Sequence, residues 1–383
     1  MRPRYPTTAV SSKRAGAFYA AYFGVLGVVL PFLGPFLAGR GLGAVAVGLV
    51  TASFSLAKLG YAPFLGRWVD RGRWFTGLLT AHMVLAVAAA LLVFSSHDPW
   101  LLGVALLVVG LGYGTVLPLV EAAVLERLPS RGYGRLRWWG SLGFIVAAVL
   151  AGRVLGGGTD TFPWVLGAVL TALGVVCLTL EHEVRPRDHS GTGSWATGAA
   201  VWALLAVLTL NQVAHGPYYA FYSIHLGEHG LSTEVVAALW SVAVLAEAGA
   251  FMIGGPLERR LGLRGLLGVS LALSPVRWLL LALPPTLPLL VVAQAGHAVT
   301  FAAAHLAGVQ LVQRIVPADA RRNAQALYSG LLFGLGIVVG TAAAGPLYAA
   351  VGGSGSFLAA AVVSVVVAAA WFGVVSRMRG LRS

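Results

Sequence analysis

The chain has 383 residues, of which 58% are hydrophobic and only 10% charged, with 50 glycines and a mean hydropathy of +0.84. An ordinary soluble domain carries roughly 25% charged residues and cannot bury this much apolar surface, so the solvent these residues meet is lipid. The single cysteine, Cys177, excludes a disulfide scaffold, and the net charge of +13 is distributed in a way that argues against a nucleic-acid partner.

In lipid every backbone polar group must be satisfied internally, so the spans are helices or a closed barrel. Runs such as 359–375 lack a period of two and are read as helices. With about 20 apolar residues needed per crossing, twelve spans are predicted: 15–39, 43–66, 74–95, 99–125, 136–157, 162–181, 197–226, 232–256, 265–283, 287–312, 325–350 and 355–376. They are numbered 1 to 12 below.

The basic residues test this count. They fall at the amino end (Arg2, Arg4, Lys13, Arg14), in alternate connections (Arg67, Arg71 and Arg73; Arg127, Arg131, Arg135 and Arg137; Arg185 and Arg187; Arg259, Arg260 and Arg264; Arg314, Arg321 and Arg322) and at the carboxyl end (Arg377, Arg379, Arg382). Only Arg40 and Arg153 lie on the opposite side. Positive residues stay in the cytoplasm, so both termini are expected there, in a multi-pass protein of the bacterial inner membrane.

Ionisable groups inside spans cost about 2.5–3.5 kcal/mol each on insertion scales and are functional candidates. In chain order these are Lys58 in span 2, Glu121 in span 4, Arg137 at the start of span 5, Glu247 in span 8 and Arg277 in span 9, with His215 in span 7 and His297 and His305 in span 10. Thr51, Ser55 and Lys58 share a helix face. In span 7, Asn211, His215, Tyr218, Tyr222 and His225 fall within an arc of about 80° at 100° per residue, a polar aromatic stripe interrupted by Pro217. Gln294, His297, Phe301 and His305 make a similar stripe in span 10. Such faces are expected to look inward at a cavity. Glycines 110, 112 and 114 of span 4, and 330, 334, 336 and 340 of span 11, are read as close helix contacts. Trp68, Trp74, Trp100, Trp164 and Trp195 lie at span ends as interfacial anchors.

The chain repeats itself. Gly66-x3-Asp70-Arg71 matches Gly254-x3-Glu258-Arg259 at an offset of 188, and the same offset pairs Pro129 with Pro317 and Ser141 with Ser329. Two six-span bundles are expected, 1–181 and 197–383, joined by a polar cytoplasmic linker at 182–196. Internal repeats in a many-span chain point to a transporter with its site between the halves. An enzyme is not expected: GxSxG and HExxH are absent, and Cys177 has no cysteine partner.

The stretch from Gly66 through Asp70 and Arg71 to Arg73 resembles the loop 2–3 motif of the major facilitator superfamily, one residue short between Arg71 and Gly72. Tyr133-Gly-Arg-Leu-Arg137-Trp-Trp-Gly140-Ser-Leu-Gly-Phe144 resembles the signature of the phenylpropionate transporter group within it. Further marks of that group are His215-Gly-Pro-Tyr218-Tyr219, Leu239-Trp240-Ser241 followed by Glu247, Val276-Arg277-Trp278, and His297 through Thr300-Phe301 to His305. A more distant resemblance is to lactose permease. It implies sugar-type binding roles for Glu121, Arg137 and Phe144 and coupling roles for Glu247, Arg277 and His297. The permease's proton-carrying glutamate of span 10 is matched here by Thr300, so its coupling cannot be copied across.

Taken together, these readings imply an all-α carrier working by alternating access, a monomer needing no cofactor or metal. The expected reaction is proton-coupled symport of a small organic anion such as an aromatic carboxylate. Alternatives are a sugar or nucleoside symporter and a drug/proton antiporter, although the Gly- and Pro-bearing span 5 motif of antiporters is missing, since 136–157 has no proline. Three bases (Lys58, Arg137, Arg277) against two acids (Glu121, Glu247) leave a surplus positive charge that favours an anion. Substrate contacts are assigned to Lys58, Glu121, Arg137, Phe144, His215, Tyr218, Tyr219 and His305. Glu247 is the expected proton carrier, with Arg277 and His297 as modulators, and Gly66, Asp70, Arg71 and Arg73 form a conformational latch.

Overall fold

The computed structural model describes residues 12–59, 75–92, 96–114, 116–117, 120, 132–180, 198–317 and 320–377. Helix lies over each of the twelve predicted stretches, and the described residues contain no strand. Seven helices are long and apolar enough to cross a membrane. Two of these, of 50 and 51 residues, each hold two predicted spans.

Spans 8 and 9 run as one helical stretch, Thr233–Ala282, turned at Gly262, whose φ of 67° and ψ of 163° are non-helical. Spans 11 and 12 join in Ile337–Arg377 at Gly352, with φ 68°. Sequence reading places multi-residue connections here. Instead, one glycine at each point adopts a backbone conformation closed to residues with a Cβ, and helix resumes at once.

Span 7 is broken into Ala199–Val213 and Gly216–Glu228. Pro217 has no N–H to offer the Val213 carbonyl, which ends the first helix there and leaves His215 at the junction. Span 10 passes from Leu287–Ala295 through a π-helical segment, Ala298–Ala303, into Ala304–Ile315. Span 11 contains a second π segment, Gly330–Gly336.

Large apolar side chains are exposed along the outer faces, including Met252, Val276, Leu150, Val104 and Val366, as lipid-facing surface requires. Trp100 and Trp164 stand at helix ends, 84% and 63% exposed. Glycines set the close approaches within each half: Gly143 lies against the Ala20 carbonyl, Gly110 against that of Phe54, and Gly216 against Gly340.

The first and second halves meet along a seam at the arginine-poor face. A Cβ added at Gly34 would lie 2.5 Å from the Ala220 carbonyl oxygen, one at Gly48 would lie 2.7 Å from that of Thr341, and one at Gly152 would lie 2.8 Å from Ala237 Cβ. Thr233 Oγ1 donates to the Gly152 carbonyl at 3.0 Å across the same seam. Phe144 and Ala148 of span 5 are buried in one apolar cluster with Tyr218, Tyr222, Trp240, Trp278 and Phe357 of the second half, and Phe23, Leu26 and Leu30 of span 1 pack against it.

Candidate functional site

Beneath that seam, spans 7, 8, 9 and 10 bring several of the predicted residues to one place. Arg277 is 2% exposed, and its guanidinium lies 4.5 Å from the ring centroids of both Tyr218 and Trp278. Its Nε donates to the Ala293 carbonyl at 2.9 Å, and its Nη2 donates to Gln294 Oε1 at 3.3 Å. Gln294 is itself oriented by donating to the Leu239 carbonyl at 3.1 Å. These contacts fix the cation on three sides while Nη1 has no hydrogen-bond partner among the described residues.

Glu247 reaches across from span 8 to His297, with Oε1 2.9 Å from Nε2. His297 stacks on Phe301 at 4.9 Å and 12°, and its ring centroid is 5.4 Å from Tyr218 and 5.8 Å from His215. His215, at the break in span 7, is held by Nδ1 at 2.8 Å from the Asn211 carbonyl and sits edge-on to Trp278 at 4.7 Å. Tyr219 stacks on His215 at 6.0 Å, and its hydroxyl accepts from Gln212 at 3.2 Å.

Five buried polar atoms in this cluster lack a partner among the described residues: His215 Nε2, Tyr218 Oη, Tyr222 Oη, Arg277 Nη1 and His297 Nδ1. A buried donor or acceptor left unmade costs about 1–3 kcal/mol.

His305 lies apart from this cluster. It continues the ring column of span 10, 6.2 Å from Phe301 at 9°, but its Nδ1 is 2.9 Å from the Tyr328 hydroxyl of span 11, beside a small cavity lined by Asn211, Gln212 and Phe333. Phe144 contributes a buried ring to the aromatic cluster from the other half. Lys58 sits in a short 3-10 turn, 57–59, and Arg137 lies in helix Gly132–Leu155, both with backbone alone described. Glu121, Gly66, Asp70, Arg71 and Arg73 lie outside the described residues.

Sequence reasoning missed Trp278 as the second face against Arg277, Tyr328 as the partner of His305, and Trp240, whose Nε1 donates to Ser223 at 3.0 Å. Trp278 was visible as a neighbour of Arg277. Adjacent residues on a helix point apart, however, so nothing in the spacing announced that the arginine folds back over the indole.

A family model described as the MFS_1 like family matches residues 14–359. The chain is 30% identical over 364 residues to a "Probable 3-phenylpropionic acid transporter" of Escherichia coli (strain K12), covering 91% of this chain and 93% of that one. It is 25% identical over 331 residues to the maltose permease of Geobacillus stearothermophilus, 83% of each. Among solved structures, the nucleoside transporter NupG superimposes with a TM-score of 0.81 at 18% identity, over 95% of this chain and 98% of that one. A bacterial homolog to the human lysosomal transporter Spinster, inward-facing and unoccupied, gives 0.74 at 16% identity, over 95% and 96%.

Proposed function

The chain belongs to the MFS_1-like family of the major facilitator superfamily, and on that premise we propose that it carries a small organic anion, such as an aromatic carboxylate, together with protons. That it is a multi-pass membrane transporter, not an enzyme, follows from the family, since its relatives and structural neighbours are transporters. The finer reading is symport by alternating access of two halves, 1–181 and 197–383, about the linker 182–196, in a monomer of the bacterial inner membrane with both ends in the cytoplasm.

One observation carries it: a buried arginine over the rings of Tyr218 and Trp278, hydrogen-bonded to Ala293 and Gln294, with Nη1 unpartnered among the described residues. A carboxylate completes that guanidinium with a charge-assisted hydrogen bond. An aromatic body on the same substrate finds rings already lining the place, from Tyr218, Tyr219 and His215 and from Phe144 of the other half. Lys58, Glu121 and Arg137 are assigned to the first half's share of the same site.

In this reading Glu247 carries the proton. Its carboxylate takes one up when the site faces outward and gives it up inward, with His297 and Arg277 biasing each step. The segment with Gly66, Asp70, Arg71 and Arg73 latches the cytoplasmic side, so Asp70→Ala slows turnover with affinity nearly unchanged. The test is uptake by purified protein in liposomes, using a panel of aromatic and aliphatic carboxylates, sugars and nucleosides under an imposed pH gradient. Accumulation of an aromatic carboxylate that collapses with a protonophore is the expected result, and Glu247→Gln abolishes the gradient-driven part. Accumulation of a sugar or nucleoside alone, or carboxylate accumulation by Glu247→Gln equal to that of the native chain, overturns it.

A further inference from the structure

At the arginine-poor end of span 7 the sequence reads His225-Leu-Gly-Glu228-His229, closing helix Gly216–Glu228. His225 is 2% exposed, covered by Phe357 at 5.6 Å and by Gly353, yet neither ring nitrogen has a partner among the described residues. His229, one turn on, is exposed, and its ring centroid is 4.5 Å from that of His225 at 65°. Its Nδ1 donates to the His225 carbonyl at 2.8 Å. Glu228 is exposed, and its Oε2 accepts from the Tyr348 hydroxyl at 2.6 Å.

We propose that His225 and His229 form a binding site for a divalent transition metal, zinc above all, with Glu228 as a supporting carboxylate. The arrangement has the parts such a site needs. A backbone carbonyl on Nδ1 fixes the tautomer of His229 and leaves Nε2 as the free lone pair, the usual outer-shell device of a ligating histidine. Two imidazoles on one tetrahedral zinc, with Zn–N near 2.0–2.1 Å, place their ring centroids about 5 Å apart, against the 4.5 Å of this pair. The last turn of a helix, where carbonyls point outward, favours a cation. His225 brings nitrogens that the fold otherwise leaves unmet, and His229 provides access from solvent.

No group of three or more His, Cys, Asp or Glu able to hold a metal is found among the described residues. The site is an open two-histidine one in which water fills the remaining positions, with Glu228, held by Tyr348, as a nearby negative charge. It shares Phe357 with the aromatic cluster around Arg277 but does not depend on the carrier reading, because its test needs no transport.

Purified protein stripped with EDTA is titrated with zinc chloride by calorimetry in detergent. One zinc per chain is expected. His225→Asn and His229→Asn each abolish the heat, and Glu228→Gln weakens binding by about tenfold. His97→Asn, which alters an exposed histidine on another connection, leaves it intact. Because a variant of the buried His225 can fail to fold, the native chain supplies a second measurement. Carbethoxylation of His229 by diethylpyrocarbonate, mapped by mass spectrometry, is suppressed by zinc at saturation. Absence of zinc binding, binding that survives both histidine substitutions, or undiminished modification of His229 in zinc overturns the proposal.

Discussion

Arg277 shows how much a single buried cation asks of its surroundings. Its charge is delocalised over a planar group whose central carbon lies 4.5 Å from the centroids of two rings, and its hydrogen-bond donors point in fixed directions. Lysine in its place keeps the charge but cannot reach both the Ala293 carbonyl and Gln294 Oε1 while staying over the rings of Tyr218 and Trp278. Hydrogen bonds to charged groups contribute about 1.5–3 kcal/mol each. Arg277→Lys is therefore expected to lower initial uptake in proteoliposomes by about tenfold or more, and Arg277→Gln to abolish it. If Lys supports native rates, the site uses point charge alone. Residue identity at this level was legible, because an ionisable side chain in a long apolar run stands out. The contacts were not, since Tyr218, the Ala293 carbonyl and Gln294 reach Arg277 from other spans, as Glu247 reaches His297.

At the scale of elements, hydropathy runs located the spans, and Pro217 foretold the break in span 7. Other features left no trace. The π segment Ala298–Ala303 is built of small and apolar residues with no signature of their own, yet it sits directly after His297, where π turns commonly mark function. The turns at Gly262 and Gly352 were hidden among many glycines, because only the backbone angle distinguishes them. Of the glycines expected to pack, Gly110 and Gly340 lie against the Phe54 and Val213 carbonyls; Gly143 was not singled out. Gly143 lets span 5 reach the backbone of span 1 at Ala20, so Gly143→Leu forces backbone, not a flexible side chain, to move. Overpacking of this kind costs about 1–3 kcal/mol, and the expected outcome is a lower Tm in detergent by several degrees. Gly157→Leu, at a position with open space around it, leaves the Tm unchanged.

For the whole molecule the decisive feature is the closed seam. Spans 1, 2 and 5 meet spans 7, 11 and 8 through Gly34, Gly48 and Gly152 at one face, above the buried polar cluster. A carrier that loads from that face must part these contacts, and their shallow glycine geometry holds them with few side chains to disengage. Gly152 is the sharpest test, because Ala237 Cβ stands 2.8 Å from an added Cβ and Thr233 bonds to its carbonyl. Gly152→Leu is expected to shift the population toward the state open at this face, by about tenfold for every 1.4 kcal/mol of strain placed on the closed one. Ala148, one turn inward on the same helix face, is fully buried and reports the change. In a Cys177→Ser background, cysteine at position 148 should resist a membrane-impermeant maleimide in the native frame and react at least several-fold faster beside Gly152→Leu. Gly157→Leu controls for bulk near the same helix end. An equal rise with that control, or none with Gly152→Leu, would mean that the seam does not govern access to the cluster.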